Sequence, residues 1–175
     1  MEINIELHTK LFANEKNFIW DYEKSKHFNF YKLNIEHNFI HLAGHLAFQH
    51  TFLKLYWLFD IYFYLKKYQN AMNWKKVHTE SIRLNLNQSV TMCLWAIYKY
   101  FNLEFNNEAM SLFQIKKFKL WKKILTLNFL IRPQANLFQY ILIKHLTKDH
   151  LIRGFLYDLR WIHHYLIKKN LQLNK

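Results

Sequence analysis

The stretch His37–Asp60, HNFIHLAGHLAFQHTFLKLYWLFD, decides how the rest of the chain reads. In its first half Phe39, Ile40, Leu42, Ala43, Leu46 and Ala47 gather on one broad face, so the spacing predicts a long helix over residues 37–50. His37, His41 and His45 recur every four residues along the opposite edge, and Gln49 continues the row. His50 projects elsewhere, about 140° from His45 on an ideal helix. The second half predicts another helix over residues 52–68, capped by Thr51, apolar on nearly all sides and therefore central. Asp60 interrupts it between Phe59 and Ile61, with Tyr64 and Lys67 on its own side. Polar groups in such apolar company must find each other, water or a ligand.

Composition agrees with a helical reading. A chain of 175 residues fits one domain and buries roughly 70% of its unfolded surface. Hydrophobic residues make up 51% and only 2 Gly and 1 Pro are present, which favours long helices over a turn-rich β fold. The expected architecture is a mostly α multi-helix bundle with one short N-terminal strand. That strand is read at residues 3–7, where Ile3, Ile5 and Leu7 alternate with Asn4 and Glu6. A lone strand needs a partner, from another chain or from a larger sheet. The expected organisation is residues 1–35, holding the strand and short helices, followed by a helical domain over 36–175.

Farther along, Asn73 is a natural cap for a helix over residues 74–84, and Asn85 to Ser89 break before a buried helix over 90–101. Asn106 or Asn107 starts the next segment. Residues 110–127 contain IKKFKLWKK and predict a basic amphipathic helix. Lys116, Lys119, Lys122 and Lys123 spread over one side, and Phe118, Trp121 and Leu125 share the other. That lysine face is either a solvated surface or an anion-binding one. Arg132-Pro133 ends it, a helix follows over 134–146, and Asp149 is placed to cap a last helix from residue 150. There, Arg153, Tyr157, Arg160 and His164 share a side.

The net charge of +13 points to an anionic partner such as nucleic acid (RNA), nucleotide or a membrane surface, although a lysine-rich, AT-rich coding bias produces the same excess. Cys93 stands alone, which excludes a disulfide framework and a cysteine metal site. No signal peptide is read at the start, and the longest uncharged window, residues 38–53, is too short to span a bilayer. A cytoplasmic protein is expected. His41 and His45 could chelate a metal if Asp60 added a third ligand, but Leu42 stands where a zincin has its glutamate. No metal ligand is therefore assigned. Asp60 either accepts a bond from a histidine in a structural network or faces a substrate with it.

Four segments carry a resemblance: IELH at 5–8, HLAGHLAFQH at 41–50, LKLYWLFDI at 53–61 and NWKKV at 73–77. Together they resemble the bacterial family of uncharacterised nucleotidyltransferases, within the polymerase-β-like superfamily. The similarity extends over nearly the whole chain and is strongest over residues 38–77. It implies a catalytic sheet facing a helical half that carries the histidine helix, the aspartate and the capped tryptophan helix. On this likeness His41, His45, His50, Lys54 and Asp60 are the substrate-binding candidates, and Glu6 matches the third catalytic carboxylate only. The superfamily's Gly-Ser turn and Asp-x-Asp pair do not occur in this sequence. Gln49 and Lys54 stand where the family often has lysine and arginine. A divalent metal such as Mg is implied only if a partner chain supplies the catalytic half. The expected function is thus a helical substrate-binding part, truncated, split or decayed, and inactive alone. The alternative is a non-enzymatic basic module that binds RNA, nucleotide or a protein.

Overall fold

The computed structural model describes residues 20–24, 31–53, 55–117, 119–131 and 137–149. Within them run β1 (Tyr22–Lys24), β2 (Tyr31–Leu33), α1 (Ile35–Phe48), α2 (Leu55–Tyr68), α3 (Trp74–Arg83) and α4 (Asn87–Phe101). Then follow α5 (Asn107–Leu112), α6 (Trp121–Ile124), α7 (Leu127–Ile131) and α8 (Leu137–Leu146). The mostly helical architecture is as expected. The strand expected at residues 3–7 and the last helix from residue 150 lie outside the described residues.

Most of residues 9–33, where one or two short helices are expected, lie outside the described residues; the described 22–24 and 31–33 form two antiparallel strands with Tyr22 opposite Leu33 and Lys24 opposite Tyr31. Three residues per strand are too few for alternation to register. Glu23 and Lys32, paired across the hairpin at 2.8 Å, look like ordinary loop residues in sequence.

Helix α4 is the hub because Ser89 through Ile97 are all buried, and α1, α2 and α3 pack around it. From α1 come Phe39, Ile40, Ala43, Leu46 and Ala47, the face its periodicity predicts. Each fully buried Leu, Ile or Phe contributes about 1.5–3 kcal/mol. Trp74, at the start of α3, ties this face to the later chain through edge-on contacts with Phe39, Phe105 and Phe113. Cys93 lies in the core, and burial pushes its thiol far above the usual range.

Caps follow the asparagines. Asn34, Asn73 and Asn106 accept the N–H of His37, Lys76 and Ala109 at 2.9, 3.0 and 2.9 Å, so α1, α3 and α5 start where side chains satisfy orphan donors. Helix α4 has no such local cap. Asp149 reaches it through space, accepting the N–H of Asn87 at 2.9 Å and of Gln88 at 2.5 Å. Beside it the Ser89 hydroxyl donates to the Thr147 carbonyl at 2.7 Å. Asp149 thus pins the segment after α8 to the start of α4.

Three expectations are corrected. Thr51 does not cap α2: Thr51 and Phe52 are buried in a turn at φ 48° and 60°, and α2 begins only at Leu55. Nor is α2 buried all round. Leu58, Ile61 and Leu65 are buried, Leu55, Trp57, Tyr62 and Tyr64 pack partly buried against the core, and Tyr56, Phe59 and Phe63 are exposed, Phe63 by 60%. The basic helix over 110–127 is broken after Leu112, where Gln114 takes a left-handed backbone at φ 48° and α6 starts afresh at Trp121.

Candidate functional site

Helix α1 presents His37, His41 and His45 along one edge, as their four-residue spacing requires, and a tryptophan closes the row at each end. Trp20 stands edge-on to His37 and His41, with ring centroids 5.5 and 6.5 Å away. Trp57, from α2, lies edge-on to His45 at 5.3 Å and stacked on His50 at 4.9 Å.

His50 belongs to this row, contrary to the ideal-helix projection. Helix α1 stops at Phe48, so His50 lies past the helix end and off its ideal projection, and the turn at Thr51 and Phe52 redirects the chain that follows it. Its Nε2 lies 3.1 Å from Nε2 of His45. Left-handed geometry at two non-glycine residues is costly, and such strain persists where packing over-determines it. Here the buried Phe52 ring, fully enclosed in the core, supplies that packing.

The two ends of the row differ. His37 is only 2% exposed. Its Nδ1 accepts the N–H of Asp21 at 2.7 Å, which fixes a neutral ring with the proton on Nε2. Burial lowers its pKa, and the Asp21 carboxylate offsets part of that shift. Asp21 also accepts from Lys76 Nζ at 2.5 Å and from Asn34 Nδ2 at 3.3 Å, binding hairpin, α1 and α3 together. The Lys76 bond holds the Asp21 carboxyl below its usual range. His41, His45 and His50 are only partly buried. Beside Trp20 an open groove of about 660 Å³ is lined by Trp20, Asp21, Tyr22 and Tyr31, with Tyr31 72% exposed.

Asp60 does not join the histidines. It is exposed on the outer side of α2, within the Tyr56, Phe59 and Phe63 stripe, and no described residue bonds to its carboxylate. Tyr64 hydrogen-bonds the Ile35 carbonyl at 2.9 Å, and burial raises its phenol to about 12. Glu6 and Lys54 lie outside the described residues.

Among the four lysines, Lys116 and Lys123 are exposed and Lys119 partly buried. Lys122 turns inward: its ammonium donates to the carbonyls of Ile115 and Lys117 and sits 5.8 and 5.6 Å from the Trp95 and Trp121 rings. Burial, then the neighbouring Lys119 charge, lowers its pKa. The helix that would have carried all four is broken between Lys116 and Lys122, and the Lys122 ammonium is held by the Ile115 and Lys117 carbonyls. Among the described residues no three His, Cys, Asp or Glu side chains converge as metal ligands, so these side chains do not fit a carboxylate-held magnesium centre. No described helix is long and apolar enough to cross a membrane.

Sequence reasoning missed Trp20, Trp57, Tyr22 and Tyr31. Aromatic residues scattered over separate elements carry no spacing signal until folding gathers them.

A family model described as uncharacterised nucleotidyltransferase matches residues 1–102, from the first residue to the left-handed Asn102 that ends α4. The similarity is therefore narrower than the nearly whole-chain extent expected. No curated protein and no solved structure matches the chain.

Proposed function

Because the chain belongs to the family of uncharacterised nucleotidyltransferases, we propose that it is the helical, substrate-binding part of a nucleotidyltransferase-like protein, inactive in transfer by itself. The observation that carries this reading is the row His41, His45 and His50 with its bracketing tryptophans, all within the family-matched residues. Partly exposed imidazoles donate hydrogen bonds to phosphate and sugar oxygens, and the exposed Tyr22 and Tyr31 rings offer faces for a base. The groove beside Trp20, with Tyr22 and Tyr31, supports the second role.

The transfer step needs in-line geometry and divalent metal held between paired carboxylates. This sequence contains neither Gly-Ser nor Asp-x-Asp. A partner bearing those groups would supply the metal chemistry, while this chain binds and orients the nucleotide. Glu6, by resemblance, would lie on the shared sheet as the third carboxylate. The alternative of a basic RNA-binding module draws less support, because Lys122 is occupied and the lysine helix is interrupted.

Incubation of the full chain with Mg²⁺ and a labelled nucleoside triphosphate tests the reading. Saturable binding without label transfer is expected. Transfer by this chain alone, or no nucleotide binding at all, would overturn it.

A further inference from the structure

The contact between His45 and His50 has a geometry of its own. Two imidazole Nε2 atoms face each other at 3.1 Å. With metal–nitrogen bonds of about 2.0–2.1 Å, neighbouring ligands of a tetrahedral centre sit about 3.3 Å apart, and right-angled ligands about 2.9 Å. The observed separation falls between the two. An ideal helix would not create it, because His50 lies past the end of α1 at Phe48, just ahead of the turn in which Thr51 and Phe52 hold positive φ. Trp57 stacks flat on His50, at an interplanar angle of 17°, and flanks His45, so both rings are oriented before any ligand arrives. Such orientation and an apolar wall strengthen imidazole ligation.

We infer that His45 and His50 chelate one borderline divalent cation, of the Zn²⁺, Ni²⁺ or Cu²⁺ type, leaving its other positions to water or a ligand oxygen. The site differs from the carboxylate-held metal of nucleotidyl transfer in ligands and in place. The site shares His45 and His50 with the proposed binding wall, but it needs neither a nucleotide nor a catalytic half, so Zn²⁺ binding without nucleotide tests it separately from that reading. Without metal, the same pair shares one proton in an N–H···N hydrogen bond, in which only one ring donates. Ligation through both Nε2 atoms moves that proton to Nδ1 of its own ring, so both imidazoles stay neutral as they bind the metal.

The test is calorimetric titration of the metal-stripped full chain with Zn²⁺ alone, in the absence of nucleotide. Wild type should bind one equivalent near neutral pH, with loss of binding near about pH 5, where imidazoles protonate. His45→Gln and His50→Gln should each weaken that binding by at least about tenfold. His78→Gln, which alters a ring packed on Phe113 away from the pair, should bind as wild type. Circular dichroism on each variant separates lost binding from lost folding. Equal Zn²⁺ affinity in folded wild type, His45→Gln and His50→Gln would overturn the inference, as would the absence of saturable binding to wild type.

Discussion

Replacing His37 by alanine separates the structural end of the histidine row from its binding end. The substitution strands the Asp21 N–H that His37 Nδ1 accepts at 2.7 Å, a loss of about 1–3 kcal/mol when the donor is buried. It also removes the edge-on contact with Trp20, worth about 0.5–1.5 kcal/mol. Asp21 is an exposed residue, so water reaches part of the gap and the net falls at about 2–3 kcal/mol. For a chain of this size that lowers Tm by roughly 5–10 °C. His45→Ala, at a partly exposed ring, should cost under about 1 kcal/mol. Acid adds a signature. The folded His37 pKa lies below its unfolded value, so the unfolded chain binds the proton first. The stabilisation is complete above about pH 6.5 and is lost as pH falls through the depressed folded value. Urea unfolding from about pH 7 to 5 should show this decline in wild type and a shallower one in His37→Phe. Equal destabilisation by His37→Ala and His45→Ala would refute the division.

Asp60→Ala should change stability by no more than about 0.5 kcal/mol, because its carboxylate faces solvent; a loss above about 1 kcal/mol by denaturant unfolding would restore the buried pairing. Asp149→Ala should cost about 1–2 kcal/mol by removing the acceptor for two N–H groups at the start of α4, with faster hydrogen exchange at Asn87 and Gln88. Lys122→Met should lower Tm and leave the salt dependence of RNA binding unchanged, since its ammonium is bound to carbonyls; a flatter salt slope in a filter assay would return it to an anion-binding role.

What the sequence made legible was local. The helix propensity, the Asn73 and Asn106 caps, the apolar face of α1 and the His37–His41–His45 edge follow from spacing alone. What escaped it depends on contacts between distant segments. His50 lies past the end of α1, next to a left-handed turn made without glycine, so no residue signals the break. Helix α2 is rich in Tyr and Phe, yet composition does not say that Tyr56, Phe59 and Phe63 remain outside. Asp149 looks like a local cap and satisfies a helix 62 positions earlier in the chain. The lysine pattern of residues 110–127 is amphipathic, but α5 ends at Leu112 and Gln114 takes a left-handed backbone within it. The Asp60–histidine pairing fails for the same reason as the buried α2: a helical wheel shows which residues share a face, without showing which face is covered.

The most direct test of the binding wall is nucleotide affinity measured by tryptophan fluorescence on the full chain, with wild type, His41→Ala and His45→Ala compared at matched Tm. Saturable ATP binding that weakens by about tenfold, some 1.4 kcal/mol, in His45→Ala with Tm nearly unchanged is the expected result. Unaltered ATP affinity in both variants, or no binding by the folded wild type, would contradict the account.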